Sequence, residues 1–291
     1  MIVVIGATGA IGSELVKRLM ERGVPTRAVS RNPEKLINEV RDLDSSSIEF
    51  VSEDISDLNS LHRALTGASQ LFLALSNSPE QVEIEKSIVR KATEVGIKHI
   101  VKISSPLYQE ISPVTVALWH QEIEQTLIES NLQYTILRPY AFMQNLLRLA
   151  PTISSQGTFL GCMKEAQCNF IDCRDIADVA VEVLMNKNLA GQIYTLTGEE
   201  MFSYAEIAEK ISTLLNRPIR YIDMNPDILR QNLIECDRMP SWLASHIVEI
   251  QTMSVAIPEK PTDTVHRLLG KKPRTLDAFL YEFWERFLYG Q

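Results

Sequence analysis

No run of lysines or arginines interrupts this sequence, and its formal net charge is −8. Nucleic-acid binding draws on clustered positive charge, so no nucleic-acid partner is expected. No uninterrupted apolar stretch approaches the ~18 residues that a membrane helix requires. The N-terminal apolar segment has no cationic stretch before it and gives way to glycine within a few residues, so neither a signal peptide nor a membrane anchor is expected. Cysteine is sparse. Cys162, Cys168, Cys173 and Cys236 form no C-x-x-C pair, which argues against a zinc site or a disulfide framework and for reduced thiols in a cytosol. Internal repeats and low-complexity linkers are absent as well. What remains is the composition of a soluble cytoplasmic globular protein of 291 residues, 45% of them hydrophobic, enough to bury a large core.

The first 140 residues alternate between two periods. Short apolar runs rich in β-formers stand at MIVVI (1–5), TRAVS (26–30), IEFVS (48–52), QLFLAL (70–75), HIVKIS (99–104) and YTILRP (134–139). Helical patterns lie between them at 10–22, 33–43, 57–66, 79–95 and 113–130, the last with Ser112 as N-cap and Pro113 in its first turn. Strands alternating with helices of this length imply right-handed crossovers and a parallel sheet covered on both faces. The expected fold class is α/β, a doubly wound parallel sheet. Beyond about residue 150 the alternation turns irregular. QIYTLTG (192–198) reads as a further strand and SYAEIAEKISTLLN (203–216) as a capped amphipathic helix. PRTLDAFLYEFWERFL (273–288) reads as one closing helix with Leu276, Phe279, Leu280, Phe283, Phe287 and Leu288 in an apolar stripe. The expected division is a core over 1–150, with returning elements near 167–197, and a smaller lobe over 151–291 packed onto it as one unit.

The stretch VIGATGAIGSELV (4–16) joins the first strand to the first helix with glycines at 6, 9 and 12. A strand-to-helix turn of this kind aims backbone N–H groups and the helix dipole at one point, which favours a diphosphate. Gly6 permits the tight turn, Gly9 lets the backbone approach phosphate, and Gly12 lets the helix pack close to the strand. Gly6, Ala7, Thr8, Gly9, Ala10, Ile11 and Gly12 are thus the expected nucleotide loop. An acid at the end of the second strand would mark NAD through the ribose hydroxyl. Here that point reads AVSRNPEK, with Ser30 and Arg31 and no acid. A guanidinium fork suits a phosphate, so Arg31 points to NADPH. Asp54, ending the third strand, is placed either to meet the adenine or to cap the helix near Leu58.

These motifs carry a resemblance. GATGAIG after the first strand, RNPEK (31–35), GIKHIVKISS (96–105), LRPYAFMQN (137–145) and FIDCRDIADVA (170–180) resemble the NmrA-like branch of atypical short-chain dehydrogenases. The resemblance runs through most of the chain and is strongest in the first 185 residues. It implies a Rossmann core with a small C-terminal lobe forming the substrate cleft. It further implies a cofactor set that includes Ser76, His120, Pro139, Tyr140 and Phe142, and substrate-facing Tyr108, Tyr140 and Asn145. Typical short-chain dehydrogenases use Tyr-x-x-x-Lys, yet none of the eight tyrosines here has a lysine four residues on. In LWHQEIEQTL (118–127), His120 and Glu124 stand at the matching positions, and isoflavone-reductase-type relatives place a lysine where His120 stands. His120 shares a helical stripe with Val116, Ile123 and Leu127, so it reads equally as packed core or as a working residue. Ser104 and Ser105 end the fifth strand, where the superfamily keeps a substrate-orienting serine; a capping role is the alternative.

Reducing an ordinary ketone makes a strongly basic alkoxide that needs a positioned acid. A quinone or dye gives a delocalised, weakly basic anion, for which proximity and a dry pocket supply most of the help. Losing the dyad points to a small-molecule conjugated acceptor such as a quinone or dye. An NADP(H)-sensing regulator without turnover, and an ene or imine reductase, share the same nucleotide features and stay open. A homodimer also stays open.

Overall fold

Every side chain of β1 (Ile2–Ile5) is buried, as expected of a strand covered on both faces. The computed structural model describes residues 1–107 and 114–290, and these form two compact units. The first unit comprises residues 1–107, 116–139 and 173–196. After β1 its elements are α1 (Ala10–Glu21), β2 (Thr26–Ser30), α2 (Glu34–Val40), β3 (Ile48–Ser52), α3 (Leu58–Leu65), β4 (Gln70–Leu73), α4 (Gln81–Val95), β5 (His99–Ile103), α5 (Thr115–Glu129), β6 (Gln133–Pro139), α6 (Cys173–Met185) and β7 (Ile193–Leu196). Seven parallel strands stand in the order β7-β6-β5-β4-β1-β2-β3. The order reverses between β1 and β4, which pair Ile2 with Gln70 and Ile5 with Leu73. Sheets of this kind bind ligands outside the carboxyl ends of the strands at such a reversal.

The strands and helices expected over the first 140 residues all appear, most of them trimmed by one to three residues at an end. Ser112 and Pro113, the expected start of α5, lie outside the described residues, as does Tyr108. The inward stripe of α5 is Val116, His120, Ile123 and Leu127, all buried. Helix α3 is capped by Asp57, whose carboxylate accepts from Ser60 N at 2.8 Å, and not by Asp54. Arg18 of α1 bonds Glu14 at 2.7 Å and also meets Asp178, fixing α1 against α6.

The second unit takes the remaining residues. It contains a three-stranded sheet of Met201–Ser203, Gln167–Ile171 and Ala141–Phe142, and a parallel pair of Thr158–Gly161 with Arg220–Asp223. Its core gathers Ile153, Phe159, Ile207, Ile211, Phe279 and Phe287. The rings of Phe159, Tyr204 and Tyr221 lie 5.4–5.7 Å apart, centre to centre. The segment expected as one closing helix is two, Leu276–Glu282 and Trp284–Tyr289, broken at Phe283 (φ −105°, ψ 18°). The stripe itself holds, with Leu276, Phe279, Leu280 and Phe287 buried. Packing overrides the helical period here, because the last piece docks on the helix Ala150–Gln156, where Ser154 Oγ donates to Leu288 O at 2.8 Å.

The helix Tyr204–Leu215 carries a complete capping box. Ser203 Oγ accepts from Glu206 N at 3.2 Å, and Glu206 accepts from Ser203 N at 2.7 Å. The backbone and hydroxyl of Ser203 pull the Glu206 carboxyl below its ordinary range. Ser203→Ala is therefore expected to cost ~1 kcal/mol in denaturant unfolding near neutral pH. Because the folded carboxyl titrates lower than the unfolded one, the Glu206 part of the cap is present above the unfolded carboxyl range. It is lost as pH falls through the depressed folded value. The wild-type advantage over Ser203→Ala should shrink accordingly on acidification.

Candidate functional site

The turn out of β1 is packed backbone against backbone. Gly6 holds φ +86°, and a Cβ there would stand 1.9 Å from Ala74 O, the residue that follows β4. A Cβ on Gly12 would stand 2.1 Å from Gly6 O. Gly9 differs: a Cβ would meet only Gly6 O, at 3.2 Å, and the residue is exposed. Helix α1 begins after Gly9 with no side-chain cap, so its first N–H groups point outward for another partner. An open glycine at an uncapped helix start fits the diphosphate of a dinucleotide. Among the loop residues, Ala7, Ile11 and Gly12 are buried, Thr8 is half-buried, and Ala10 is exposed.

The end of β2 adjoins this turn. Thr8 Oγ1 and Ser30 Oγ are 3.0 Å apart, and Ser30 Oγ also accepts from Asn32 N at 3.2 Å. Arg31 follows, exposed, with no hydrogen bond or ion pair to its guanidinium among the described residues. Asp54 is occupied locally: it accepts from the Ser56 hydroxyl at 2.7 Å and the Ser56 N–H at 3.0 Å. Those two bonds hold its carboxyl below the usual range, and the charge of Arg31 adds to them. The structure thus brings the glycine turn, Ser30 and Arg31 to one end of the sheet, with an uncapped helix start and a guanidinium unpaired among the described residues.

A second set of residues lies deeper. His120 on α5 is buried, with Nε2 3.2 Å from Asn77 Oδ1 and Nδ1 3.3 Å from Lys102 Nζ. Lys102, next to last in β5, is fully buried and donates to Glu85 of α4 at 2.5 Å and to Ile103 O at 3.0 Å. Glu85 also accepts from Gln81 Nε2 at 2.7 Å. One turn beyond His120, Glu124 is clamped by Arg138 of β6 through two bonds, at 3.0 and 2.5 Å. Ser104 donates to the same carboxylate at 2.5 Å. Ser104 is therefore committed to Glu124, whereas Ser105 has a buried hydroxyl with no hydrogen-bond partner among the described residues. Ser76 is exposed beside Asn77.

Lys102, Glu85, Asn77 and Arg138 escaped sequence reasoning. The signal was present in the strand HIVKIS, where one lysine interrupts a run buried on both faces. Gln81 and Glu85 likewise sit on the inward stripe of α4 with Ile88, Val89 and Ala92. Charged residues at such positions are almost never fully buried unless paired.

The other expected residues fall near or beyond the boundary of the first unit. Pro139 ends β6. Tyr140, Phe142 and Asn145 belong to the second unit. The Tyr140 phenol is pushed up by burial and by the charge of Glu259, against a bond from the Lys260 backbone. Phe142 is half-buried and Asn145 is exposed, while the neighbouring Gln144 donates to Asp172 at 2.9 Å. Burial pushes the Cys162 thiol up to about 11 and raises Cys168 as well, which leaves both as inert thiols. Among the described residues no helix is long and apolar enough to cross a membrane.

A family model described as the NmrA-like family matches residues 1–280. The chain belongs to the NmrA-like family. It is 33% identical over 282 residues to an NAD(P)H azoreductase of Xenophilus azovorans, covering 96% of each chain. It is 28% identical over 241 residues to quinone oxidoreductase 2 of Escherichia coli, covering 81% of this chain and 79% of that one. Its fold superposes on a crystal structure of an Escherichia coli NADPH-dependent quinone oxidoreductase complexed with NADPH. That match has a TM-score of 0.85 and 24% identity, over 98% of this chain and all of that one. The glycine turn and the unit built on the parallel sheet belong to an NmrA-like protein.

Two glycines at this turn should respond in opposite ways. Gly12→Ala drives a methyl into the Gly6 carbonyl and should lower stability by roughly 1–3 kcal/mol, read as a fall in Tm. Gly9→Val should fold with little loss of Tm and lose NADPH binding, because its side chain fills the space in front of the uncapped helix. Calorimetry showing wild-type NADPH affinity in folded Gly9→Val would refute this placement of the diphosphate. Arg31→Ala should weaken NADPH by about ten- to a hundredfold and leave NADH unchanged, the value of a charge-assisted bond of ~1.5–3 kcal/mol. Equal affinity of the wild type for both cofactors would overturn the assignment.

Proposed function

We propose that this chain is an NADPH-dependent reductase that transfers a hydride to a conjugated, electron-poor small molecule of the quinone or azo-dye kind. The observation that carries this proposal is the open, uncapped glycine turn at the reversal of the sheet, with Ser30 and the free guanidinium of Arg31 beside it. NADPH supplies the hydride when bound. The residues of this chain that would hold it are the loop Gly6–Gly12 for the diphosphate, and Ser30 and Arg31 for the 2′-phosphate. Ser76, His120, Pro139, Tyr140 and Phe142 complete the cofactor set that the family resemblance implies. The acceptor class is supported by the names of the azoreductase and quinone oxidoreductase relatives and by the state of the residues that replace the dyad. Glu124, standing where the lysine would be, accepts from Arg138 and Ser104 and carries the opposite charge to that lysine. Without that lysine no tyrosine is activated as a strong proton donor, so acceptors that form basic alkoxides are disfavoured. Tyr140 and Asn145 are assigned to the acceptor by resemblance, and the hydroxyl of Ser105, unpartnered among the described residues, is a further candidate to meet an acceptor oxygen. A cytosolic location completes the proposal, in keeping with thiols kept reduced.

The test is NADPH oxidation followed over quinones, azo dyes and unconjugated ketones at fixed cofactor. Turnover with quinones or azo dyes should exceed that with ketones by at least about a hundredfold, the scale of a missing general acid. Comparable rates on ketones would sink the acceptor class. Tight NADPH binding with no turnover on any of them would favour a nucleotide-binding regulator.

A further inference from the structure

Lys102 has three N–H donors and three acceptors: Glu85 Oε2 at 2.5 Å, Ile103 O at 3.0 Å and His120 Nδ1 at 3.3 Å. Its side chain is wholly inaccessible, between Leu73 of β4 and Ile136 of β6. A buried ammonium persists where a carboxylate and further acceptors satisfy it, and Glu85 is itself fixed by Gln81. Among the described residues the third proton has the imidazole as its acceptor. A ring nitrogen that accepts a hydrogen bond carries a lone pair, so Nδ1 is unprotonated and the ring proton sits on Nε2, facing Asn77 Oδ1.

We propose that Lys102 is a positioning residue: anchored by Glu85, it holds His120 as a neutral, Nε2-protonated imidazole across the physiological pH range. His120 then serves the site as a fixed hydrogen-bond donor and not as a titrating acid. The consequence for turnover rests on the reductase assignment; the charge state of His120 does not. The charges around the ring agree. Lys102 from β5 is balanced by Glu85 from α4, and Glu124 on α5 itself is balanced by Arg138 from β6 and bonded by Ser104. Asn77, from the segment after β4, is neutral. With His120 neutral these described groups sum to zero, whereas an imidazolium would place a second positive charge 3.3 Å from the ammonium.

The experiment is long-range proton–nitrogen NMR of the histidine rings in the full chain, free and with NADPH, between about pH 5 and pH 8, the window in which an ordinary histidine titrates. The His120 signals are assigned by their loss in His120→Asn. The expected result is an Nε2–H tautomer with no titration across the window. A wild-type His120 that titrates there, or that carries its proton on Nδ1, overturns the proposal. The double variant Glu85→Gln/Lys102→Met removes both charges together, so neither is left buried alone. It should show His120 exchanging between tautomers, and kcat on a quinone should fall by about tenfold with NADPH affinity within twofold of wild type. An unchanged His120 spectrum in that variant is the other overturning outcome. If the double variant does not fold, the wild-type spectrum decides alone. If no acceptor is turned over, the reductase assignment fails while the ring's charge state is still read directly.

Discussion

Two carbonyl oxygens, on Gly6 and Ala74, set the geometry from which the cofactor end of the first unit is built. Each occupies the volume where a side chain would otherwise stand, one over Gly6 and the other over Gly12. The chain can leave β1, pass the end of β4 and enter α1 only if both positions lack a Cβ. That close approach brings the start of α1 to the point where the strand order reverses, with its N–H groups uncapped. It also brings Thr8 within 3.0 Å of the Ser30 hydroxyl. The third glycine is not required by packing in this way. Its openness separates the part of the motif that makes the fold from the part that leaves room for a ligand.

The same unit bears a cost that sheets of this class normally avoid. Two ion pairs, Glu85 with Lys102 and Glu124 with Arg138, are largely withdrawn from water. Burying such pairs seldom gains stability over apolar side chains of similar volume, and removing one partner leaves a charge that is strongly destabilising. Pairs retained on those terms are more economically explained by what they orient. One reaches the His120 ring, and the other occupies the carboxylate at the position where a typical short-chain dehydrogenase carries its lysine. A cation has not been lost from this region. Lys102 stands near the carboxyl end of β5, and its charge is cancelled by Glu85 on α4.

Much of this was legible in the residues. The alternation of periods gave the parallel sheet, and VIGATGAIGSELV placed the turn, because a strand, three spaced glycines and an amphipathic helix have few other solutions. The inward stripe of α5 followed from a 3.6-residue period and put His120 inside. The contacts of His120 with Lys102 and Asn77 were not legible, since those residues come from β5 and the segment after β4, and no local pattern joins Glu85 to Lys102 to Asn77. The lone lysine in HIVKIS was the available clue. After residue 150, period and propensity lose their hold. The break at Phe283 arises from docking on the helix Ala150–Gln156, a long-range contact that overrides a stripe which would otherwise run straight through.

A fixed neutral donor and an acceptor that needs little acid are two sides of one arrangement. An imidazolium beside the buried ammonium would be the stronger acid, yet the site would then have to expel a charge whenever the ring released its proton. A neutral Nε2–H changes no charge as the acceptor turns over, and it keeps its direction because Nδ1 is held from behind. Such a donor offers too little to an isolated alkoxide. It suits an anion already spread over a conjugated system, where orientation and exclusion of water count for more than proton strength. The loss of the tyrosine–lysine dyad and the appearance of a buried lysine behind a histidine thus lead to the same class of acceptor.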